Sequence, residues 1–187
     1  MSILDIRVLG DPVLRKPTRR VKEMTEDLRK LIADMFETMY AAEGIGLAAP
    51  QVGRSERVAV VDVEGKKFAL INPAIISTGP IADKAEEGCL SIPDIYGDVE
   101  RPSDVTIRFT DENGEEREEA GTALLGRCFQ HEIDHLEGKL FIDYLSPLKR
   151  RAALSKWEKA KAEFPGYLRK VRIEEPGAHH QESAEEM

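Results

Sequence analysis

The sequence has few residues of the kinds that stabilise secreted or membrane-bound proteins. It contains only two cysteines among 187 residues, too few for a disulfide framework, so thiolate or buried-thiol roles in a reducing compartment are expected. No apolar stretch approaches the roughly 20 residues that a membrane-spanning helix needs. The opening decapeptide, MSILDIRVLG, lacks the basic and apolar regions of a signal peptide. We therefore expect a cytoplasmic protein without a membrane partner.

Positive charges are outnumbered overall, with 27 Lys or Arg against 35 Asp or Glu, but they are locally concentrated. The formal net charge of −8 argues against a surface that binds free nucleic acid. Residues 149–172, however, contain nine Lys or Arg and two Glu, a local balance of +7, whereas residues 173–187 contain five Glu and no Lys or Arg. The basic stretch is either a solvated helix face or a docking patch for a polyanion.

The length and the hydrophobic periodicity predict a single α+β domain. Apolar residues recur at helical spacing in three segments, with Thr25 as an N-cap of the first, and short β-type runs lie between them. We expect antiparallel sheets packed around the second helix, a catalytic domain over 1–170 and a disordered acidic tail over 171–187. The predicted helices span 25–43, 121–137 and 147–164; the predicted strands span 57–63, 67–71, 105–109 and 115–119, with a hairpin turn at 111–114.

The segment QHEIDH, residues 130–135, is the most informative motif. On a helix, His131 and His135 lie one turn apart on the same face and can bind one metal ion. Glu132 follows the first of them and can reach a water at that metal. The motif predicts a hydrolytic metal centre, although the same pattern also occurs on ordinary solvated helices.

A catalytic site of this kind needs a third protein ligand. In one protease class it is a histidine six residues after the second, but this chain has Phe141 there. Downstream glutamates, Glu158 and Glu163, lie in the basic helix and are weaker candidates. Cys128 is seven residues from His135, a rise of about 10 Å on a helix, so it is better interpreted as a buried core thiol.

Cys89 has a different setting, in the segment EEGCLSIP. Gly88, immediately before it, allows the backbone to approach a ligand closely. From spacing alone, Cys89 is either the third ligand or a small buried residue at a strand edge. A metallopeptidase, a metal-dependent structural module and a different hydrolase are all compatible with the residues at this point.

Three segments together resemble the motifs of bacterial peptide deformylases. They are GIGLAAPQ (44–51), EGCLS (87–91) and QHEIDH (130–135), in the family's order, and the resemblance extends to about residue 165. It implies removal of the formyl group from the N-terminal formyl-methionine of nascent peptides. It also implies that Cys89, His131 and His135 bind Fe²⁺, for which Zn²⁺, Ni²⁺ or Co²⁺ can substitute.

The resemblance assigns roles to further residues of this chain. Glu132 is expected to act as general base and acid, while the Gln51 amide and the Leu90 N–H stabilise the oxyanion. Glu87, which directly precedes Gly88, is expected to pair with Arg101. Ile45 and Gly46 are expected to pair with the peptide as an added strand. The methionine pocket is expected to involve Leu124, Arg127 and Cys128, with the Arg127 head group reaching water.

The chain also resembles the form of the family that carries a helical C-terminal extension. In that form the extension is associated with docking on the ribosome near the nascent-chain exit. The basic stretch 149–172 has the charge that docking on RNA requires. The ribosome is therefore an expected partner through the C-terminal helix.

Overall fold

The computed structural model describes residues 1–173. This part of the chain contains three α-helices and nine β-strands. The helices are α1 (Glu26–Ala41), α2 (Ala123–Leu136) and α3 (Pro147–Ala160). The strands are β1 (Ile6–Arg7), β2 (Gly46–Ala48), β3 (Val58–Val63), β4 (Lys66–Thr78), β5 (Ala82–Cys89), β6 (Ile92–Pro102), β7 (Asp104–Thr110), β8 (Glu116–Thr122) and β9 (Leu168–Arg169).

The strands form one large antiparallel sheet and two antiparallel pairs. The five-stranded sheet has the order β2-β3-β4-β7-β8, so β2 lies at one edge. Strands β5 and β6 form a separate hairpin, and β1 pairs with β9. In the hairpin, Cys89 pairs with Ile92, so Leu90 and Ser91 form the turn, and an irregularity in the register lies between Glu87 and Cys89.

Helix α2 lies inside the molecule, against strands from both the sheet and the hairpin. Its apolar side packs with β3 and β7 in a cluster that includes Val61, Ile107 and Phe129. A second cluster, which includes Cys89, Phe141 and Trp157, joins the hairpin to α3. The two histidine-bearing turns of α2 are thus enclosed by protein on several sides.

Helix α3 is held to the body by few residues. Only Ala153 and Trp157 are buried within it, and they lie four residues apart on one face. The Trp157 indole Nε1 donates to the Leu9 carbonyl at 3.1 Å. After short 3₁₀ turns at Lys161–Glu163 and Pro165–Tyr167, the chain returns along β1 as β9.

The α+β architecture expected from the sequence is confirmed, and so are the three helices. Thr25 caps α1, since its hydroxyl accepts from the Leu28 N–H at 3.1 Å. The turn at 111–114 is present, with Asp111 Oδ1 accepting from the Asn113 N–H at 2.9 Å and Gly114 at a φ of 82°. The third helix ends at Ala160, earlier than expected, and continues as a 3₁₀ turn.

Strands β5 and β6 were not predicted from the sequence. Residues such as Glu86 and Asp98 pair across this hairpin although their charge makes the segments look like loops. The predicted tail, 171–187, lies mostly outside the described residues. Within residues 1–173, no helix is long and apolar enough to span a membrane.

Candidate metal centre

The two histidines of α2 converge as the helical spacing requires. The Nε2 atoms of His131 and His135 lie 3.1 Å apart, and both side chains are almost fully buried. Burial, followed by the neighbouring His131, lowers the pKa of His135 well below its ordinary value. His135 is therefore a neutral imidazole, the form that binds metals.

Cys89, at the end of β5, brings the third donor to the same place. Its Sγ lies 3.4 Å from His135 Nε2, and the three donor atoms all lie within 4.8 Å of one another. Three ligands bound at about 2.0–2.3 Å to a common ion have separations of this order. One buried thiolate and two imidazoles therefore fit a transition-metal ion in both geometry and chemistry.

The remaining candidate ligands lie elsewhere. The Phe141 ring stacks on the His131 ring, with centroids 6.5 Å apart, and packs the site instead of ligating. Glu158 is exposed and pairs with Lys161 at 2.6 Å. Cys128 is buried in the core, where its Sγ lies 3.7 Å from the Ile45 carbonyl. Among the candidate ligands in residues 1–173, the structure therefore groups Cys89, and not Cys128 or Glu158, with the two histidines.

Glu87 holds His131 from the side away from Cys89. Its Oε1 accepts from His131 Nδ1 at 2.9 Å, and Arg101 donates to both carboxylate oxygens at 2.6 and 2.9 Å. Arg101 also donates to Asp134 at 2.8 Å. Burial raises the pKa of Glu87, but the bonds from His131 and Arg101 outweigh it and hold this pKa well below its ordinary value.

Glu132 is a fully buried carboxylate to which no protein group in residues 1–173 donates a hydrogen bond. Burial, and then the charge of Glu87, raise its pKa well above the ordinary value. Gly46 lies so close that a Cβ there would be 2.5 Å from Glu132 Oε1. A buried carboxylate of this kind needs a partner from outside the chain, as a general base beside a water does.

Gln51 is fully buried and reaches the hairpin turn from the 3₁₀ helix Ala49–Val52. Its Oε1 accepts from the Ala48 N–H at 2.9 Å, which fixes the orientation of the amide. Its Nε2 donates to Ser91 Oγ at 3.1 Å and lies 3.6 Å from Cys89 Sγ. The amide donor is thus directed at the residues around Cys89.

Comparison with known proteins agrees with this geometry. The family model for polypeptide deformylase matches residues 3–151. The chain belongs to the peptide deformylase family. It is 53% identical to the peptide deformylase of Hydrogenovibrio crunogenus over 167 residues, covering 87% of this chain and 98% of that protein.

Solved structures of the family have the same fold. The peptide deformylase of Legionella pneumophila superposes with a TM-score of 0.83 at 46% identity, covering 87% of this chain and 97% of that one. That of Thermotoga maritima superposes with a TM-score of 0.76 at 47% identity, covering 79% of this chain and all (100%) of the other.

In this member of the peptide deformylase family, the Arg127 side chain is placed differently from what the sequence led us to expect. We expected its head group to reach water, but the side chain is buried, and Nη1 donates to Glu87 Oε2 at 2.7 Å. It also donates to the Val99 and Asp83 carbonyls at 2.8 and 2.9 Å. The buried carboxylate of Glu87 attracts the guanidinium inward, which no local sequence signal revealed.

The expected peptide-binding strand has one open edge. The Ile45 carbonyl accepts from the Asp62 N–H at 2.9 Å, and backbone groups alternate between the two sides of an antiparallel strand. The N–H and C=O of Gly46 therefore point away from β3, toward the open side of β2. Gly46 is better placed than the Ile45 carbonyl to pair with an added strand.

Apolar side chains near this edge come from α2 and from the residue that directly precedes β2. Ile45 and Leu124 are partly buried and pack against the cluster that contains Cys128. Of the residues predicted for the methionine pocket, Leu124 and Cys128 thus belong to the same apolar cluster, whereas the charged end of Arg127 donates to Glu87. Ser91, which accepts from Gln51, had no separate signal in the sequence beyond its place two residues after Cys89.

Proposed function

We propose that this chain deformylates the N-terminal formyl-methionine of newly synthesised proteins and releases formate, with Fe²⁺ held by Cys89, His131 and His135. One observation carries the proposal: in a chain of this family, the three donor atoms lie within 4.8 Å of one another, and the residue after His131 is Glu132, whose buried carboxylate has no hydrogen-bond partner within residues 1–173. Since formylated N-termini arise where proteins are made, the proposed place of action is the cytoplasm.

The proposed metal is iron, on the basis of the family resemblance. A thiolate with two imidazoles also binds Zn²⁺, Ni²⁺ and Co²⁺, so substitution is expected. When bound, the ion lowers the pKa of water and polarises the formyl oxygen. Metal analysis of protein purified without oxygen tests the choice, and zinc as the predominant metal in such protein would contradict the proposal of iron.

Glu132 is proposed to move the protons of the reaction. It accepts a proton from the attacking water and later delivers it to the departing amine, so that a free N-terminal methionine results. The raised pKa of Glu132, caused first by its burial, suits a group that must both take and return a proton. Its position near Gly46 places it beside the proposed peptide edge.

Gln51 and Leu90 are proposed to stabilise the charge that develops on the formyl oxygen. Gln51 Nε2 has two N–H donors: one is directed at Ser91 Oγ at 3.1 Å, and the other contacts Cys89 Sγ at 3.6 Å. Since sulfur is a weak acceptor, the second donor can bind a stronger one. Preorganised donors of this kind contribute on the order of 3 kcal/mol each to an oxyanion. The Leu90 N–H is supplied from the turn of the β5–β6 hairpin.

The substrate is proposed to lie along β2 as an added strand. The Gly46 backbone would pair with the peptide, while Ile45, Leu124 and Cys128 surround the methionine side chain. Arg127 contributes to this pocket through its stem and through Glu87, not as a solvated head group. Such pairing gives affinity through the backbone and leaves selectivity to the first side chain.

Formate release from formyl-Met-Ala-Ser by the ferrous protein tests this function. Acetyl-Met-Ala-Ser is the matched control, since it presents the same peptide with a different acyl group. Formate from the first peptide and no reaction with the second is the expected result. Cleavage of the Met-Ala bond would instead indicate a metallopeptidase, and no turnover by folded, metal-loaded protein would indicate a structural metal site.

The basic face of α3 is proposed to dock on ribosomal RNA. At about 100° per residue, Arg151 and Lys159 lie roughly 140° around the helix from the buried Ala153 and Trp157, and Lys156 lies on the flank, roughly 80° away. All three are exposed, and none forms an ion pair with another residue of the described chain. They therefore present charge to solvent that phosphate groups can neutralise.

Co-sedimentation with ribosomes tests this docking. Replacing Arg151, Lys156 and Lys159 with alanine should weaken binding and reduce its salt dependence. The matched control replaces Lys22, Lys66 and Lys84, three exposed lysines away from α3, and changes the net charge equally. Equal loss in both triple variants would show that net charge alone matters and would reject a specific role for α3.

A further inference from the structure

The two-residue turn of the β5–β6 hairpin, Leu90 and Ser91, differs from the turn types that hairpins favour. Two-residue hairpin turns that match the strand twist place their first residue, or both residues, at positive φ. Neither Leu90 nor Ser91 has a positive φ. The turn is therefore not of the types that strand twist favours, and contacts from outside the hairpin can contribute to its orientation.

Three such contacts hold the turn. The Leu9 N–H donates to the Ser91 carbonyl at 2.9 Å, and Gln51 donates to the Ser91 hydroxyl at 3.1 Å. The third contact comes from Arg169, whose Nη1 donates to the Leu90 carbonyl at 2.9 Å. Because Leu90 and Ser91 are both fully buried, each of these acceptors would be costly to leave without a donor.

We propose that Arg169 is a positioning residue for deformylation: it fixes the Leu90 backbone so that the Leu90 N–H is directed at the formyl oxygen. This inference rests on the proposed function, in which Leu90 supplies that N–H. The Leu90 carbonyl and N–H flank the same Cα, so a hydrogen bond to the carbonyl restrains rotation of the residue that carries the donor.

Arg169 is itself fixed by the fold. It lies in β9 and pairs with Ile6 of β1, while the Tyr167 carbonyl accepts from the Val8 N–H at 3.0 Å. Arg169 is 79 residues from Leu90 in the chain and lies beyond residues 3–151, which the family model matches. The segment after α3 therefore adds a contact to the Leu90–Ser91 turn, and this contact comes from outside the region that the family model matches.

The adjacent Lys170 offers a matched control. Lys170 directly follows β9, and its side chain pairs with Asp5 at the surface, where Lys170 is 64% exposed and Asp5 is 41% exposed. Replacing Lys170 removes one positive charge from the residue after Arg169 and leaves the contacts of the turn in place.

Steady-state kinetics on formyl-Met-Ala-Ser, normalised to bound metal, test the proposal in R169M, R169K and K170M. We expect R169M to lose about five- to tenfold in kcat with little change in KM, because the donor is misdirected after binding. R169K, which retains a cationic donor, should recover part of the loss, and K170M should match the parent protein. An R169M kcat equal to that of the parent would overturn the proposal.

A spectroscopic measurement keeps the test independent of turnover. In zinc-loaded, ¹⁵N-leucine-labelled protein, the Leu90 amide resonance should shift in R169M and R169K and stay in place in K170M. If R169M does not fold, the kinetic and the spectroscopic measurement are both made on R169K. An unmoved Leu90 amide in R169K with an unchanged kcat would reject the role, whereas absent formate in the parent protein would instead reject the proposed function.

Discussion

Glu87 Oε1 and His131 Nδ1 lie 2.9 Å apart, and this contact sets the direction in which the imidazole of His131 presents its other nitrogen. With Nδ1 donating to the carboxylate, Nε2 carries the lone pair and faces His135 Nε2 at 3.1 Å. Carboxylate–histidine pairs of this kind orient metal-binding histidines and increase their basicity. The organisation of the centre therefore depends on a residue that binds no metal.

Replacing Cys89 should remove the metal, and replacing Cys128 should not. Both thiols are fully buried, so Cys128→Ala is a matched control for the loss of a buried sulfur. We expect Cys89→Ala to purify with little bound metal, because two imidazoles alone bind an ion weakly. Metal content by atomic emission measures the difference, and a full complement of metal in Cys89→Ala would contradict the proposed ligand set.

Replacing Glu132 with glutamine should abolish turnover while preserving the metal. The amide cannot accept the proton from water, and general acid–base catalysis is typically worth roughly 10²–10⁴-fold in rate. Metal content and the circular dichroism spectrum should match those of the parent protein. Formate release within tenfold of the parent rate would remove Glu132 from the proposed role.

Replacing Glu87 should destabilise the protein and weaken metal binding. Arg101, Arg127 and His131 all donate to its carboxylate, and removing one member of a buried ion pair costs about 3–5 kcal/mol. Metal affinity should fall by roughly 10–100-fold, as for other carboxylates behind histidine ligands.

The adjacent Glu86 provides the control for this change. It is exposed, so Glu86→Gln removes the same charge from the same strand without disturbing the buried network. Urea unfolding and competition with a chelator measure stability and metal affinity. Similar losses in Glu86→Gln and Glu87→Gln would show that the buried network is not responsible.

The contribution of Glu87 to stability should disappear at low pH. Its pKa is lowered in the folded protein relative to the ordinary value of 4.5, so the unfolded chain binds more protons between the two values. The stabilisation is therefore fully present above about pH 5 and is lost as the pH falls through the folded-state pKa.

Urea unfolding of the metal-free protein between about pH 7 and pH 3 measures this effect. The difference in free energy of unfolding between the parent and Glu87→Gln should be largest near neutral pH and should shrink steadily in acid. A difference that is constant across this range would mean that ionisation of Glu87 is not the source of its stabilisation.

Sequence patterns predicted those parts of the fold that depend on neighbours along the chain. The Thr25 cap, the spacing of apolar residues in α1 and the turn before Gly114 all act over a few residues, and each is present. The β5–β6 hairpin escaped prediction because the outer parts of its strands are exposed and rich in charge, and because its register is irregular between Glu87 and Cys89.

The sequence by itself determined that His131 and His135 face the same way, because a helix repeats every 3.6 residues. Only the tertiary structure decided which residue joins them: Cys89 is 46 residues from His135 and reaches it through the β5–β6 hairpin. The same holds for Arg127, drawn inward by the buried charge of Glu87, and for Arg169, which reaches Leu90 from the last strand. Periodicity acts locally, whereas burial and charge pairing act between any segments that packing brings together.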